Sequence, residues 1–378
     1  MNPRSTDWRE SIDDVDASII DGFQSGFPIE ARPFRAVGEA VGVSEAEAIE
    51  RVTRLYEQGI FRRFGAVLNP PVIGSSALAA VQAPGERFGE IADVINGYQQ
   101  INHNYARDHE WNMWFVVTAG SRERRDEIVA EIEARTGCDV LDLPMLTDYY
   151  IDLEFPVVNQ DRFARETLAS PDERAAEPRA GQASGASLPD ERAAEPRARE
   201  SLESTEVSAT RISESATGDL SAFDADLLLA IQDGFPVSTT PYRDLATELN
   251  ADVDDVLDAV DALRENNCIK RIGLVVNHVV TGFRNNCMVV WSVPDDELDA
   301  RGEDVGALPY VTLCYHRPRR PDMDWEYNLF TMIHGRDADV VDEKIDELAT
   351  DHLPFEHERL YSTETLKQTG AQYEALMD

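Results

Sequence analysis

Two segments of the chain concentrate the side chains that could do chemistry. INHNYARDHEWNMWF covers residues 101–115, and TLCYHRPRRPDMDWEYNLFTMIHG covers residues 312–335. If the first segment is a regular strand, alternation places His103, Tyr105, Arg107 and His109 on one face. Histidine titrates near neutral pH and arginine binds carboxylates, so this face predicts proton donation beside a carboxylate anchor. The alternative is an ordinary sheet with polar residues and core aromatics.

The second segment repeats part of this set. Tyr315 and Arg317 match Tyr105 and Arg107, but Leu313 stands at the position of His103. Strand parity directs the neighbouring His316 to the opposite face. Two further arginines lie between prolines in a longer loop, and they could close over an anionic ligand or form a solvated basic turn. These are Arg319 and Arg320.

The charge balance restricts the function classes. Acidic residues number 72 against 35 basic ones, and only three of the basic residues are lysines. The net charge of −37 predicts a halophilic protein whose acidic surface is screened by salt, or else an acidic patch for a basic partner. The same charge argues against nucleic-acid binding, which depends on neutralising phosphates.

The four cysteines have no metal-site spacing, so we predict buried thiols and no metal site.

No apolar run is long enough for a membrane span, and the first residues lack the layout of a secretory signal. We therefore predict a cytoplasmic protein without membrane contact.

The chain is predicted to contain two copies of one unit. A shift of 208 positions places GFP at 26–28 on GFP at 234–236, and Arg63 and Gly65 on Arg271 and Gly273. Between the copies the decamer PDERAAEPRA occurs twice in a polar stretch that cannot build a core, which indicates a disordered, flexible linker. The duplication predicts an intramolecular pseudo-dimer, with further homo-oligomerisation left open.

Each copy has the same predicted layout. A helix-turn-helix pattern comes first, with Ser44 and Asp252 as N-caps of the second helices. Strands and two helices follow in the order of a ferredoxin-like α+β sandwich. The fold class is therefore α+β, with two winged-helix-like heads and two ferredoxin-like bodies. The predicted domains are head one 1–62, body one 63–158, linker 159–218, head two 219–270 and body two 271–378.

This architecture resembles the Lrp/AsnC family of transcription regulators, which implies DNA binding and ligand sensing. The residues of the second helices do not favour this function. Copy one offers Arg51 and Arg54 among three glutamates, and copy two reads DVDDVLDAVDAL, with no basic residue before Arg264. Such a helix repels phosphates. A regulator that senses a small ligand or a tetrapyrrole remains the alternative function.

Three segments resemble the siroheme decarboxylases, which derive from the same fold. They are FRRFGAVLN at 61–69, HNYARDHEWNMWF at 103–115 and CYHRPRRPDMDWEYNLFTMIHG at 314–335. The resemblance implies a lyase that removes the carboxyl groups of two acetate side chains of siroheme, on the alternative route to heme. It also implies that two related subunits are fused here, and that iron enters only as part of the substrate, without a separate cofactor.

The resemblance implies roles for individual residues. His103 and His109 are expected to donate protons, Arg107 to hold a carboxylate and Tyr105 to orient the ring. Because His103 has no counterpart in copy two, we expect one working pocket. The expected substrate-binding residues are Arg63, Trp111, Tyr315, Arg317, Arg319, Arg320, Trp325, Tyr327 and His278. Either His278 or His109 could instead ligate the substrate iron.

Overall fold

The computed structural model describes residues 8–151, 210–211, 220–277 and 280–369. The predicted linker 159–218 lies outside these ranges except for Thr210–Arg211, which forms a two-residue strand. His278 also lies outside the described residues.

The described residues form helices and strands in two matching sets. The helices are α1 (Asp14–Gly22), α2 (Pro33–Val41), α3 (Glu45–Glu57), α4 (Pro70–Ile73), α5 (Phe88–Asn96), α6 (Arg122–Thr136), α7 (Ala222–Ile231), α8 (Pro241–Glu248), α9 (Val253–Glu265), α10 (Leu298–Gly306) and α11 (Ala338–Glu347). The strands are β1 (Phe61–Leu68), β2 (Ser75–Val81), β3 (Ile101–Arg107), β4 (Met113–Ala119), β5 (Val140–Pro144), β6 (Thr147–Ile151), β7 (Thr210–Arg211), β8 (Ile269–Val276), β9 (Asn285–Trp291), β10 (Val311–His316), β11 (Leu329–Gly335) and β12 (His357–Gln368).

The two heads have the predicted helical pattern. Ser44 caps α3 by accepting a hydrogen bond from the backbone N–H of Glu47, as its position before the apolar repeat predicted. Asp252 occupies the N-cap of α9, although its side chain makes no capping hydrogen bond. Both heads contribute to one hydrophobic core, in which Phe64 contacts Phe27 and Phe235. The heads therefore fold as a single pseudo-symmetric unit.

The strands that follow the heads, β1 and β8, form a two-stranded sheet of their own and do not join the sheets of the bodies. Strands β1 and β8 pair with each other as an antiparallel ribbon, with Gly65 opposite Gly273. The backbone approaches closely here, because a Cβ built on Gly65 would lie 2.7 Å from the Cα of Gly234. Glycine is required at this position for packing. The ribbon belongs to the paired heads.

Each body is a four-stranded antiparallel sheet covered by two helices on one face, as predicted. The strand orders are β5-β2-β4-β3 in body one and β12-β9-β11-β10 in body two, the ferredoxin-like arrangement. Helices α5 and α6 cover the first sheet through Ile91 and Ile128, and α10 and α11 cover the second through Val305 and Ile345.

The bodies exchange strands, which confirms the predicted intramolecular pairing. The first part of β12 pairs with β9, and its second part pairs with β3 of the other copy. Reciprocally, β6 of copy one pairs with β10. Tyr149 of β6 packs against Gly302 of α10 and donates a hydrogen bond to Asp299 at 2.6 Å. Each copy therefore completes the sheet of the other.

The uncovered faces of the two sheets form a shared inner layer. Its aromatic contacts include Trp114 of β4 and Trp325, whose ring centroids lie 5.5 Å apart. Tyr105 and Tyr315 lie opposite Trp114 and Phe330 of this layer in their strand pairings. The face of β3 that the sequence singles out is thus the inner one.

Within the described ranges we find no helix with the length and apolar character that a membrane crossing requires.

Candidate active site

Three of the four predicted catalytic residues share one face of β3. The rings of His103 and Tyr105 stack with centroids 6.2 Å apart and planes 27° from parallel. The guanidinium of Arg107 lies 5.9 Å from the centroid of the Tyr105 ring. The alternation argument is therefore correct for these three residues.

Arg107 is a buried cation. Its side chain is 6% exposed, and its Nη1 donates a hydrogen bond to the carbonyl of Leu360 at 2.5 Å. Its Nε has no partner in the described part of the chain, and no carboxylate there forms an ion pair with it. Burial lowers the pKa of Arg107 to about 10. The guanidinium therefore stays protonated at neutral pH. A buried guanidinium without a carboxylate is costly, so the site is suited to an acidic ligand.

The second copy reproduces this arrangement. Arg317 donates a hydrogen bond to the carbonyl of Leu143 at 2.5 Å, and its guanidinium lies 5.2 Å from the centroid of the Tyr315 ring. Its Nε is also buried without a partner among the described residues, and burial lowers the pKa of Arg317 to about 10. Leu313 occupies the position of His103, so this pocket lacks the imidazole.

The two pockets differ in the basic residue that the ribbon supplies. In copy one, Arg62 is exposed and donates a hydrogen bond to Gln368 Oε1 at 3.1 Å. Burial raises the pKa of Tyr105, and the positive charges of Arg107 and Arg62 act against that rise. Arg62 therefore adds a second positive charge near Tyr105.

In copy two, the corresponding residue Lys270 forms an ion pair with Asp148, with 2.8 Å between Nζ and Oδ2. Asp148 lies opposite Tyr315 in the pairing of β6 with β10, whereas Thr365 lies opposite Tyr105 in the pairing of β12 with β3. Burial raises the pKa of Asp148, and Lys270 acts against that rise. At this cross-strand position copy two therefore has a carboxylate, where copy one has the hydroxyl of Thr365.

His103 lies beside Tyr105 in copy one and is partly exposed. Its Nδ1 is 3.1 Å from Asn102 Oδ1, and this contact orients the ring when Nδ1 carries a proton. The role of His103 as a proton donor stays a prediction.

The structure separates His109 from this set. Strand β3 ends at Arg107, and His109 lies in the loop before β4, so the alternation expected for it does not apply. Its Nδ1 accepts a hydrogen bond from the backbone N–H of Trp111 at 3.0 Å, and its Nε2 pairs with the carboxylate of Glu358 on β12. With both nitrogens engaged, His109 links the loop of copy one to a strand of copy two.

Arg63 also lies elsewhere than expected. Its guanidinium donates to the backbone carbonyls of Gln232 and Ala66, at 2.5 and 3.0 Å, within the paired heads. The preceding residue in the sequence, Arg62, is the one that reaches the edge formed by β3 and β12, through its hydrogen bond to Gln368. Both arginines have basic counterparts in copy two, so the sequence comparison could not separate them.

The predicted ring-contacting aromatics are packed in the inner layer. Trp111, Trp325 and Tyr327 are 4%, 1% and 9% exposed and belong to the cluster between the sheets. This packing favours the alternative of core residues over contact with a ligand.

The loop arginines are held by their own surroundings. Arg319 donates a hydrogen bond to the carbonyl of Glu326 at 2.9 Å and pairs with Asp295, and Arg320 pairs with Asp322 at 2.8 Å. The loop is thus arranged as a basic turn with local partners. A closing role for it stays a prediction.

The described residues contain no group of three or more His, Cys, Asp or Glu side chains that could hold a metal ion. The cysteines are free there, three of them buried and Cys138 partly exposed.

Comparison with protein families matches both parts of each copy. A model for the AsnC-like ligand binding domain matches residues 73–149 and 280–367, and a model for the siroheme decarboxylase NirDL-like HTH domain matches residues 16–62 and 224–269. Among solved structures, that of the siroheme decarboxylase NirDL covers 96% of this chain and 98% of its own, with a TM-score of 0.65 and 20% identity. The complex of NirDL with an iron-uroporphyrin III analogue covers 96% and 95%, with a TM-score of 0.64 and 21% identity. These two structures support the fold.

Curated relatives extend over nearly the whole chain. The siroheme decarboxylase NirDL subunit of Paracoccus denitrificans is 33% identical over 363 residues, which are 96% of this chain and 98% of the relative. The siroheme decarboxylase NirD subunit of Pseudomonas aeruginosa is 46% identical over 146 residues, which are 39% of this chain and 97% of that subunit. The chain therefore belongs to the siroheme decarboxylase family, in the form in which two related copies are fused.

Proposed function

We propose that this chain is a carboxy-lyase that removes the carboxyl groups of two acetate side chains of siroheme, giving didecarboxysiroheme on the alternative route to heme. The observation that carries the proposal is Arg107, a buried guanidinium with no carboxylate partner in the described part of the chain. A substrate carboxylate supplies the missing negative charge. The family membership supports the same reaction.

The reaction needs an electron acceptor for the pair released from the broken bond, and a proton donor. When the bond between the acetate CH₂ and its carboxyl carbon breaks, CO₂ leaves and the electron pair passes into the conjugated ring. Protonation of the ring helps it to accept that pair, and a proton delivered to the exocyclic carbon gives the methyl group. Each acetate thus consumes one proton overall and needs no oxidant.

Within copy one, Arg107 is proposed to hold a substrate carboxylate and Tyr105 to orient the ring beside it. His103 is the proposed proton donor, because imidazole gives up a proton readily at neutral pH. Arg62, which the sequence pattern alone does not single out, is proposed as a further carboxylate contact. Because Leu313 replaces the imidazole in copy two, copy one is proposed to contain the working pocket.

A transcription regulator is less well supported by the heads. Arg51 is hydrogen-bonded to Asp13, Asp16 and Glu47, and Arg54 binds the carboxylate of Asp16 at 2.6 Å. The two arginines of α3 are therefore neutralised within the head. We propose that the heads serve to pair the copies and that the protein works in a cytoplasm of high salt, where its charge of −37 is screened.

The test is anaerobic incubation of the purified full chain with siroheme in molar salt, followed by mass spectrometry of the pigment. Two successive losses of CO₂ are expected. Tight binding with unchanged mass of the pigment would overturn the enzyme proposal and favour a sensor or carrier. A chain that does not bind siroheme would also overturn it and would favour a function of the helix-turn-helix heads.

A further inference from the structure

The two pockets are related by the duplication, yet their electrostatics differ at one cross-strand position. Tyr315 and Arg317 repeat the contacts of Tyr105 and Arg107, including the hydrogen bond to a backbone carbonyl of the other copy. The difference lies opposite the tyrosines, where copy two has Asp148 and copy one has Thr365.

Asp148 changes what the pocket of copy two can bind. Its carboxylate engages Lys270, and the two side chains are only 16% and 21% exposed. It also lies close enough to Tyr315 that its negative charge contributes to raising the pKa of that phenol. A polycarboxylate entering here would lie against the carboxylate of Asp148, and the charge of Lys270 is already compensated by that carboxylate. In copy one, Arg62 is bound only to the neutral amide of Gln368 among the described residues.

We infer that Asp148 is a specificity-determining residue that excludes polyanionic tetrapyrroles from the pocket of copy two, so that each chain binds one siroheme. The inference rests on the proposed function, since it takes siroheme as the ligand. Like charges placed against each other in a partly buried site disfavour binding. The surviving Tyr315–Arg317 pair then acts as part of the interface between the copies.

The test is an anaerobic titration of the full chain with siroheme, in which stoichiometry is read from the absorbance of the bound pigment. The wild-type chain is expected to bind one equivalent. Asp148→Asn frees Lys270 and removes the repelling charge, so a second equivalent is expected. Adding Arg317→Met to Asp148→Asn should remove that second equivalent and thereby locate it in copy two.

The reciprocal exchange tests the same idea in the other pocket. Thr365→Asp places a carboxylate opposite Tyr105 and is expected to weaken siroheme binding at least tenfold. Asp261→Asn, on the exposed side of α9, makes the same charge change as Asp148→Asn and is the control that should leave the stoichiometry at one.

The outcomes separate the two proposals. Two equivalent sites in the wild-type chain would overturn the inference and leave decarboxylation intact, as would a folded Asp148→Asn variant that still binds one equivalent. Should that variant fail to fold, unchanged affinity in Thr365→Asp would overturn the inference independently. A wild-type chain that binds no siroheme would overturn the proposed function itself.

Discussion

Arg51 of α3 binds Asp13, the N-cap of α1, with its Nη1 2.8 Å from both carboxylate oxygens. Asp13 also accepts hydrogen bonds from the backbone N–H groups of Val15 and Asp16. The bond from Arg51 and these N–H groups lower the pKa of Asp13 to about 2. One side chain therefore caps a helix and ties α1 to α3.

This lowered pKa predicts how acid affects the head. Because the carboxylate form is favoured in the folded state, its contribution to stability is complete above the unfolded value near 3.8 and is lost as the pH falls towards 2. Asp13→Asn should destabilise the chain at pH 6, and the difference from wild type should close between about pH 4 and pH 2. Urea unfolding across this range measures it. A constant difference would contradict the assignment.

Loss of the buried guanidinium should impair binding and rate together. Arg107→Met preserves volume but removes the charge that holds a substrate carboxylate. Removing one partner of a buried ion pair costs about 3–5 kcal/mol, which predicts a fall in kcat/KM of about 10²- to 10⁴-fold. Arg124→Met, on the outer surface of α6, is the matched control. Steady-state decarboxylation assays compare kcat/KM of the two variants. An equal fall in Arg107→Met and Arg124→Met would contradict the role of Arg107.

The two histidines of copy one should behave differently. His103→Gln is expected to lower kcat by about 10²- to 10⁴-fold, the usual contribution of a positioned proton donor. His109→Gln removes the pairing with Glu358 and should chiefly lower the thermal midpoint. Single-turnover assays and thermal unfolding of both variants test this division. Full turnover in His103→Gln would exclude His103 as the donor.

The closely packed ribbon predicts a steric effect of one methyl group. A Cβ at Gly65 would lie 2.7 Å from Gly234 Cα, so Gly65→Ala should destabilise the chain by about 1–3 kcal/mol. Gly89→Ala in α5 meets no atom within 4 Å and should be neutral or stabilising. Denaturant unfolding of the two variants, read as their midpoints, measures the difference in stability. Equal midpoints for the two variants would contradict the steric argument.

The net charge of −37 predicts a strong dependence of stability on salt. Self-repulsion of the acidic surface is screened as the Debye length falls from about 10 Å at 0.1 M to about 3 Å at 1 M. The thermal midpoint should therefore rise with KCl, with most of the rise below about 1 M. Differential scanning calorimetry measures it. A midpoint that does not change with KCl would contradict the high-salt interpretation.

Local patterns in the sequence predicted the elements well. The position of Ser44 before an apolar repeat predicted the start of α3, and strand alternation placed His103, Tyr105 and Arg107 on one face. The 208-residue shift predicted the pairing of the copies. Each of these inferences depends on neighbours within a few residues or on direct comparison of the two copies.

The rest of the site depends on contacts between distant segments. Arg62 and Arg63 are adjacent and equally basic, and only the way the ribbon packs decides that Arg62 reaches β12 while Arg63 bonds within the heads. Asp148 faces Tyr315 because β6 crosses to the other copy, and no local pattern indicates this exchange. His109 leaves the strand at a turn that the alternation argument could not anticipate.

The exchange of strands also affects how the chain is made. Arg107 and Leu360, which are bonded in the finished protein, lie 253 residues apart in sequence. During synthesis the free edge of β3 must wait for β12, about 13–50 s at 5–20 residues per second. An unpaired edge strand readily pairs with other chains. Newly made first copies are therefore open to mispairing on the ribosome, and slower translation of the second half would lengthen that period.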